Sequence, residues 1–163
     1  MSKKAIILLI MVIIWMGLIF YMSNSNGDDS GSESEDIVTF IIDKYDKITN
    51  ASIETISYHK SPEFIKNANF YFRKMCHFSE YFILGILLFC FLIALNRYSL
   101  LKCVLYSILI SILYACSDEF RQTFINGRSG QIIDILIDCS GAIIGVILIR
   151  IVDKFTKKRH KND

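Results

Sequence analysis

Arg73, Lys74, His77, Glu80 and Tyr81 crowd into one short segment, and Ser117, Asp118, Glu119 and Gln122 into a second; Asp134 and Asp138 follow in a third. On a helix His77, Glu80, Tyr81 and Leu84 stand at i, i+3, i+4 and i+7 and share a face, which Arg73 extends by a turn. Asp118 and Gln122 share a face by the same rule, as do Asp134, Asp138 and Gly141. The cations and the histidine suit an anion, with Arg128 offering a rigid fork for phosphate or carboxylate. Glu80, Asp118, Glu119, Asp134 and Asp138 would orient those groups or bind hydroxyls. His77 and Glu119 have the chemistry of a general base, and Glu80 and Asp118 complete the catalytic candidates. Carboxylates with one histidine also suit a divalent metal, but the spacing sets no preferred geometry, so no metal or cofactor is assigned from it. In Asn-Gly-Arg-Ser-Gly at 126–130, Gly127 and Gly130 permit positive φ and close approach, leaving Arg128 aimed at whatever lies over the cluster.

These groups are embedded in segments that are otherwise apolar. Of the 163 residues 53% are hydrophobic and 21% charged, and the charge is so uneven that long stretches carry almost none, which excludes an ordinary soluble globule. Spans are expected at about 5–22, 77–95, 100–120 and 131–150, each near the 20 or so apolar residues that a membrane helix needs. The first is longer than a signal-peptide core and ends in Phe20-Tyr21-Met22, so it is expected to be an uncleaved anchor. The 23–36 segment, rich in Ser, Gly, Asp and Glu, reads as a flexible acidic linker. Ile37, Phe40, Ile41, Tyr45 and Ile48 then recur at helical spacing, predicting a short amphipathic helix that covers the bundle in preference to lying on the membrane. The expected fold is an all-α integral membrane bundle of four transmembrane helices, one domain over 1–163, with an extracytoplasmic amphipathic helix after the first span. No repeat of solenoid length is present.

Charge placement predicts the orientation. Lys3, Lys4, Arg97, Lys102, Arg150 and the basic 151–163 tail mark the cytoplasmic side, so both termini are expected there and the long second segment outside. The net charge of +2 then divides into an excess of cations inside and of anions outside. All the site candidates fall at the outer ends of their spans, whereas 84–95, 103–113 and 141–149 hold no ionisable group other than cysteine and tyrosine. A carboxylate at such depth costs at least about 2.5 kcal/mol, so these side chains must face one another or a wet cavity. A closed ion-pair network that locks the helices is the structural alternative. The five cysteines lack CxxC spacing and read as buried hydrophobes, and Gly141-x-x-x-Gly145 reads as close helix packing inside the bundle.

Three ordered blocks, R-K-M-C-H-F-S-E-Y-F-I-L-G at 73–85, S-D-E-F-R-Q-T-F-I-N-G-R-S-G at 117–130 and D-I-L-I-D at 134–138 with Gly141, resemble the VanZ-like membrane proteins. Ser23-Asn24-Ser25 departs from that family's usual Ser-x-Gln after the first span. The resemblance implies a small multi-pass protein of the bacterial cell membrane, in a family whose founding member is linked to teicoplanin resistance. The expected partners are the bilayer and a lipid or cell-wall precursor headgroup, with no nucleic acid. Two functions follow as expectations: binding of that headgroup at the outer leaflet, which reduces glycopeptide access, or hydrolysis or transfer on it. A proton-coupled transporter is disfavoured because the polar residues do not continue to the inner face.

Overall fold

A computed structural model describes residues 1–24, 27–125 and 130–159. Its helices are α1 (Lys3–Ser23), α2 (Gly27–Thr49), α3 (Ile53–His59), α4 (Pro62–Leu95), α5 (Leu100–Gln122) and α6 (Ile132–Arg159). There is no strand among the described residues, and α1, α4, α5 and the Ile132–Lys154 part of α6 are long and apolar enough to cross a membrane. The all-α four-span bundle is therefore the observed fold, with the amphipathic helix after the first span present as α2.

Local chemistry sets the helix ends. The Ser2 hydroxyl accepts from the Ala5 N–H at 3.2 Å and starts α1. Ser61 caps α4 by accepting from the Phe64 N–H at 3.3 Å, Pro62 needs no intrahelical donor at the first position, and Glu63 complements the helix dipole. Asn96, at φ 53°, ends α4 in the left-handed conformation that asparagine tolerates.

Four differences from the sequence reading stand out. The segment expected as a flexible linker is helical from Gly27 onward, and α6 continues to Arg159 through much of the expected polar tail. Extending a formed helix adds one hydrogen bond per residue fixed, whereas composition reports only the lack of burial. The apolar stripe of α2 does not cover the bundle: Ile37, Phe40, Ile41, Tyr45 and Ile48 are exposed, and Val38 and Asp46 are the buried residues among the described side chains of the helix. Asp46 instead pairs with His59 at 2.6 Å and ties α2 to the end of α3. Of the cysteines only Cys103 is buried, and Cys116 is exposed.

The bundle is drawn together by glycine. A Cβ on Gly141 or Gly145 would collide with the carbonyl oxygen of Phe78 or Phe82, and one on Gly85 with that of Ala142. The backbones of α4 and α6 touch there, as the small-residue spacing predicts. Trp15 donates its indole N–H to the Glu80 carbonyl at 2.9 Å, and the Tyr114 hydroxyl donates to the Met16 carbonyl at 2.6 Å, fixing α1 against α4 and α5. Tyr81, Leu84, Leu88, Ala115 and Ala142 fill the core between these contacts. Ser107 and Ser111, both fully buried, donate to the carbonyls of Cys103 and Ser107 one turn earlier, so α5 buries them without an orphaned hydroxyl.

Candidate functional site

Close contact of α4 and α6 brings two polar stripes face to face. Asp134 and Asp138 lie on the α6 face that continues into Gly141 and Gly145, and Lys74 and His77 lie on the α4 face opposite. Lys74 pairs with Asp134, reaches the Gln131 side-chain carbonyl at 3.4 Å, and sits 5.1 Å from the centre of the Phe70 ring. One turn deeper, His77 Nδ1 stands 3.5 Å from Asp138 Oδ1. Asp138 is wholly buried.

A second group closes on itself between α1 and α5. The Ser23 hydroxyl donates to Asp118 Oδ2 at 2.7 Å, and the Gln122 amide donates to Ser23 at 2.9 Å and to Asp118 at 3.1 Å. Arg121 completes it, donating at 2.7 Å to Asp118 Oδ1, at 2.9 Å to the Ser23 hydroxyl and at 2.8 Å to the Asn24 side-chain oxygen Oδ1, with its guanidinium 4.2 Å from the Phe20 ring centre. Both carboxylate oxygens of Asp118 are satisfied and its charge is matched. This part is the structural lock that the depth of the carboxylates allowed for.

The third group is open. His77, Glu119 and Asp138, from three different helices, bring one nitrogen or oxygen atom each to within 4.8 Å of one another. Glu119 Oε2 accepts from the Gln131 backbone N–H at 3.0 Å, which holds the side chain in place. Its other oxygen, His77 Nδ1, both oxygens of Asp138 and the Tyr81 hydroxyl are buried without a hydrogen-bond partner among the described residues. Buried polar groups are nearly always paired, and such a concentration of exceptions marks a place built for something besides stability. Gly130 lets the chain return this close: a Cβ there would lie 2.6 Å from the Glu119 carbonyl oxygen and 2.8 Å from the Thr123 methyl.

A pocket of about 390 Å³ lies beside this group on the side of α1 and α2 and shares only His77 with it. Ser23, Glu33 and Ser34 line one wall, Arg73 and Glu80 the other, and His77 belongs both to the pocket and to the open group. Among the described residues Arg73 makes no ion pair, whereas Lys74 and Arg121 are engaged by Asp134 and Asp118.

Of the residues singled out by sequence, Lys74, His77, Glu119, Asp134 and Asp138 meet between α4, α5 and α6, with Tyr81 buried below His77. Asp118 and Gln122 are in the closed network, and Arg73 and Glu80 are on the pocket wall. Ser117 is exposed, and no hydrogen bond among the described residues joins it to the cluster. Gly127 and Arg128 lie outside the described residues. Sequence reasoning missed Ser23, Trp15 and the Glu33–Ser34 wall. Ser23 carried a signal, since it is the first polar residue after the first span; Glu33 and Ser34 were hidden by the reading of their segment as a linker.

A protein-family model described as VanZ/LLP1 matches residues 8–153 of the chain. No curated protein and no solved structure matches it.

Proposed function

The chain belongs to the VanZ/LLP1 family, and from that premise we propose that it is a multi-pass protein of the bacterial cell membrane whose pocket binds the anionic headgroup of a lipid or lipid-linked envelope component. Both termini are cytoplasmic in this reading, which puts the pocket at the outer leaflet, and its occupancy lowers the access of glycopeptides such as teicoplanin to their target. The observation that carries the reading is Arg73, a guanidinium with no ion pair among the described residues, on the wall of a pocket of about 390 Å³. That volume lies in the range of small-molecule sites. Arg73 supplies a planar fork for phosphate and His77 a second donor, while Glu33, Ser34 and Glu80 accept from or donate to hydroxyls of the headgroup. The exposed stripe of α2 supports the same reading, because an amphipathic helix beside the pocket mouth suits the headgroup layer.

A second reading, a hydrolase or transferase acting on that headgroup, draws on one observation. His77 lines the pocket while its Nδ1 faces Asp138 at 3.5 Å, as a general base backed by an orienting carboxylate would. Conversion of labelled lipid extract by purified protein separates this reading from binding alone.

The binding reading is tested by expressing the wild type, Arg73→Ala and His77→Ala at matched abundance in a teicoplanin-susceptible host. The wild type lowers susceptibility and both variants lose the effect. Protection by the variants equal to that of the wild type would refute the role assigned to the pocket.

A further inference from the structure

We propose that His77, Glu119 and Asp138 form a binding site for one divalent transition metal ion of the zinc class. The three side chains come from α4, α5 and α6, and one donor atom of each lies within 4.8 Å of the others. A tetrahedral ion with bonds of about 2.0 Å separates its ligand atoms by about 3.3 Å. His77 Nδ1 and Asp138 Oδ1, at 3.5 Å, already stand at that separation. The Glu119 carboxylate brings an oxygen to within 4.8 Å of both.

Two independent features point to a cation. Asp138 is 0% exposed and Glu119 2%, yet three of their four carboxylate oxygens have no hydrogen-bond partner among the described residues. Burying two carboxylates costs several kcal/mol each unless charge is supplied. The neighbouring lysine and arginine are spent elsewhere, Lys74 on Asp134 and Arg121 on Asp118, and a protonated His77 beside Asp138 would offset only one of the two charges. A dication supplies what the protein leaves out. The fourth oxygen, Glu119 Oε2, accepts from the Gln131 N–H at 3.0 Å; that is the outer-shell hydrogen bond by which metal-binding carboxylates are oriented.

One imidazole and two carboxylates make a mixed nitrogen and oxygen donor set, which suits Zn²⁺ or Mn²⁺ better than the oxygen-only cages of Ca²⁺. Three protein ligands leave at least one coordination position, and one of the three, His77, also lines the pocket. The inference goes beyond the headgroup reading and does not depend on it, because metal content is measured without any lipid.

Full-length protein in nanodiscs is stripped with chelator, titrated with Zn²⁺ and in a parallel arm with Mn²⁺, and the metal retained after buffer exchange is counted by mass spectrometry. A single equivalent in either arm is expected, with the affinity lowered by roughly 100-fold or more in Asp138→Asn and Glu119→Gln. Asp46→Asn, which alters the other histidine–aspartate pair, keeps the wild-type affinity. Visible absorption of the Co²⁺-loaded wild type, with the ligand-field bands of a four- or five-coordinate ion, reads the site without any variant. Wild-type protein that retains no more metal than Asp138→Asn in both arms and gives only the spectrum of hydrated Co²⁺ would overturn the proposal, as would variants that bind as tightly as the wild type.

Discussion

Two buried aspartates on neighbouring helices should respond to the same substitution with opposite signs. In metal-free protein Asp118→Asn removes the charge from a carboxylate that accepts from Ser23 at 2.7 Å, Arg121 at 2.7 Å and Gln122 at 3.1 Å. Charge-assisted hydrogen bonds contribute about 1.5–3 kcal/mol each, and breaking a buried pair costs about 3–5 kcal/mol. The Arg121 side chain is 23% exposed and is partly solvated when its partner goes, so the loss falls at the low end, about 3 kcal/mol. Asp138→Asn removes a charge that has His77 Nδ1 at 3.5 Å but no hydrogen-bond partner among the described residues. Relief of that unsatisfied burial stabilises the metal-free protein by about 1–3 kcal/mol. Chelator-treated wild type and both variants are unfolded reversibly by titrating denaturing detergent into mixed micelles. The variants should flank the wild type, separated from each other by about 4–6 kcal/mol. Destabilisation of both by similar amounts would refute the division of the cluster into a closed lock and an open site.

Other consequences follow from the packing and from the topology. Gly145→Ala drives a methyl into the Phe82 carbonyl and should cost about 1–3 kcal/mol, whereas Gly17→Ala, with nothing within 4 Å of the added Cβ, should gain up to about 1 kcal/mol in the same assay. In a background without the native cysteines, Ser34→Cys should react with a membrane-impermeant maleimide in intact cells and Lys158→Cys only after lysis; the reverse pattern would invert the orientation.

The helices that carry the site were legible because an uncharged run of spanning length admits few other structures, and the helical stripes placed His77 beside Tyr81 and Asp134 beside Asp138. The spacing of Gly141 and Gly145 announced the close helix contact, though not that α4 was the neighbour. The split of the acidic residues was not legible. Asp118 and Glu119 are adjacent in sequence, but successive helical residues point about 100° apart, so one meets α1 and the other meets α4 and α6. Which neighbour each meets is decided by the packing of three other helices. The outer wall was missed for a different reason: the low hydrophobicity of 23–36 indicates little burial, and it carries no information on whether a helix anchored further along extends back through it.

The claim that the pocket holds an anionic headgroup is tested most directly by native mass spectrometry of the protein released from membranes in nanodiscs, with the bound lipid identified by fragmentation. The wild type should retain one anionic or phosphate-linked lipid per chain, and Arg73→Gln should lose it while keeping the wild-type unfolding curve. Retention of the same lipid by Arg73→Gln, or a wild type that carries only neutral bulk lipid, would contradict the account.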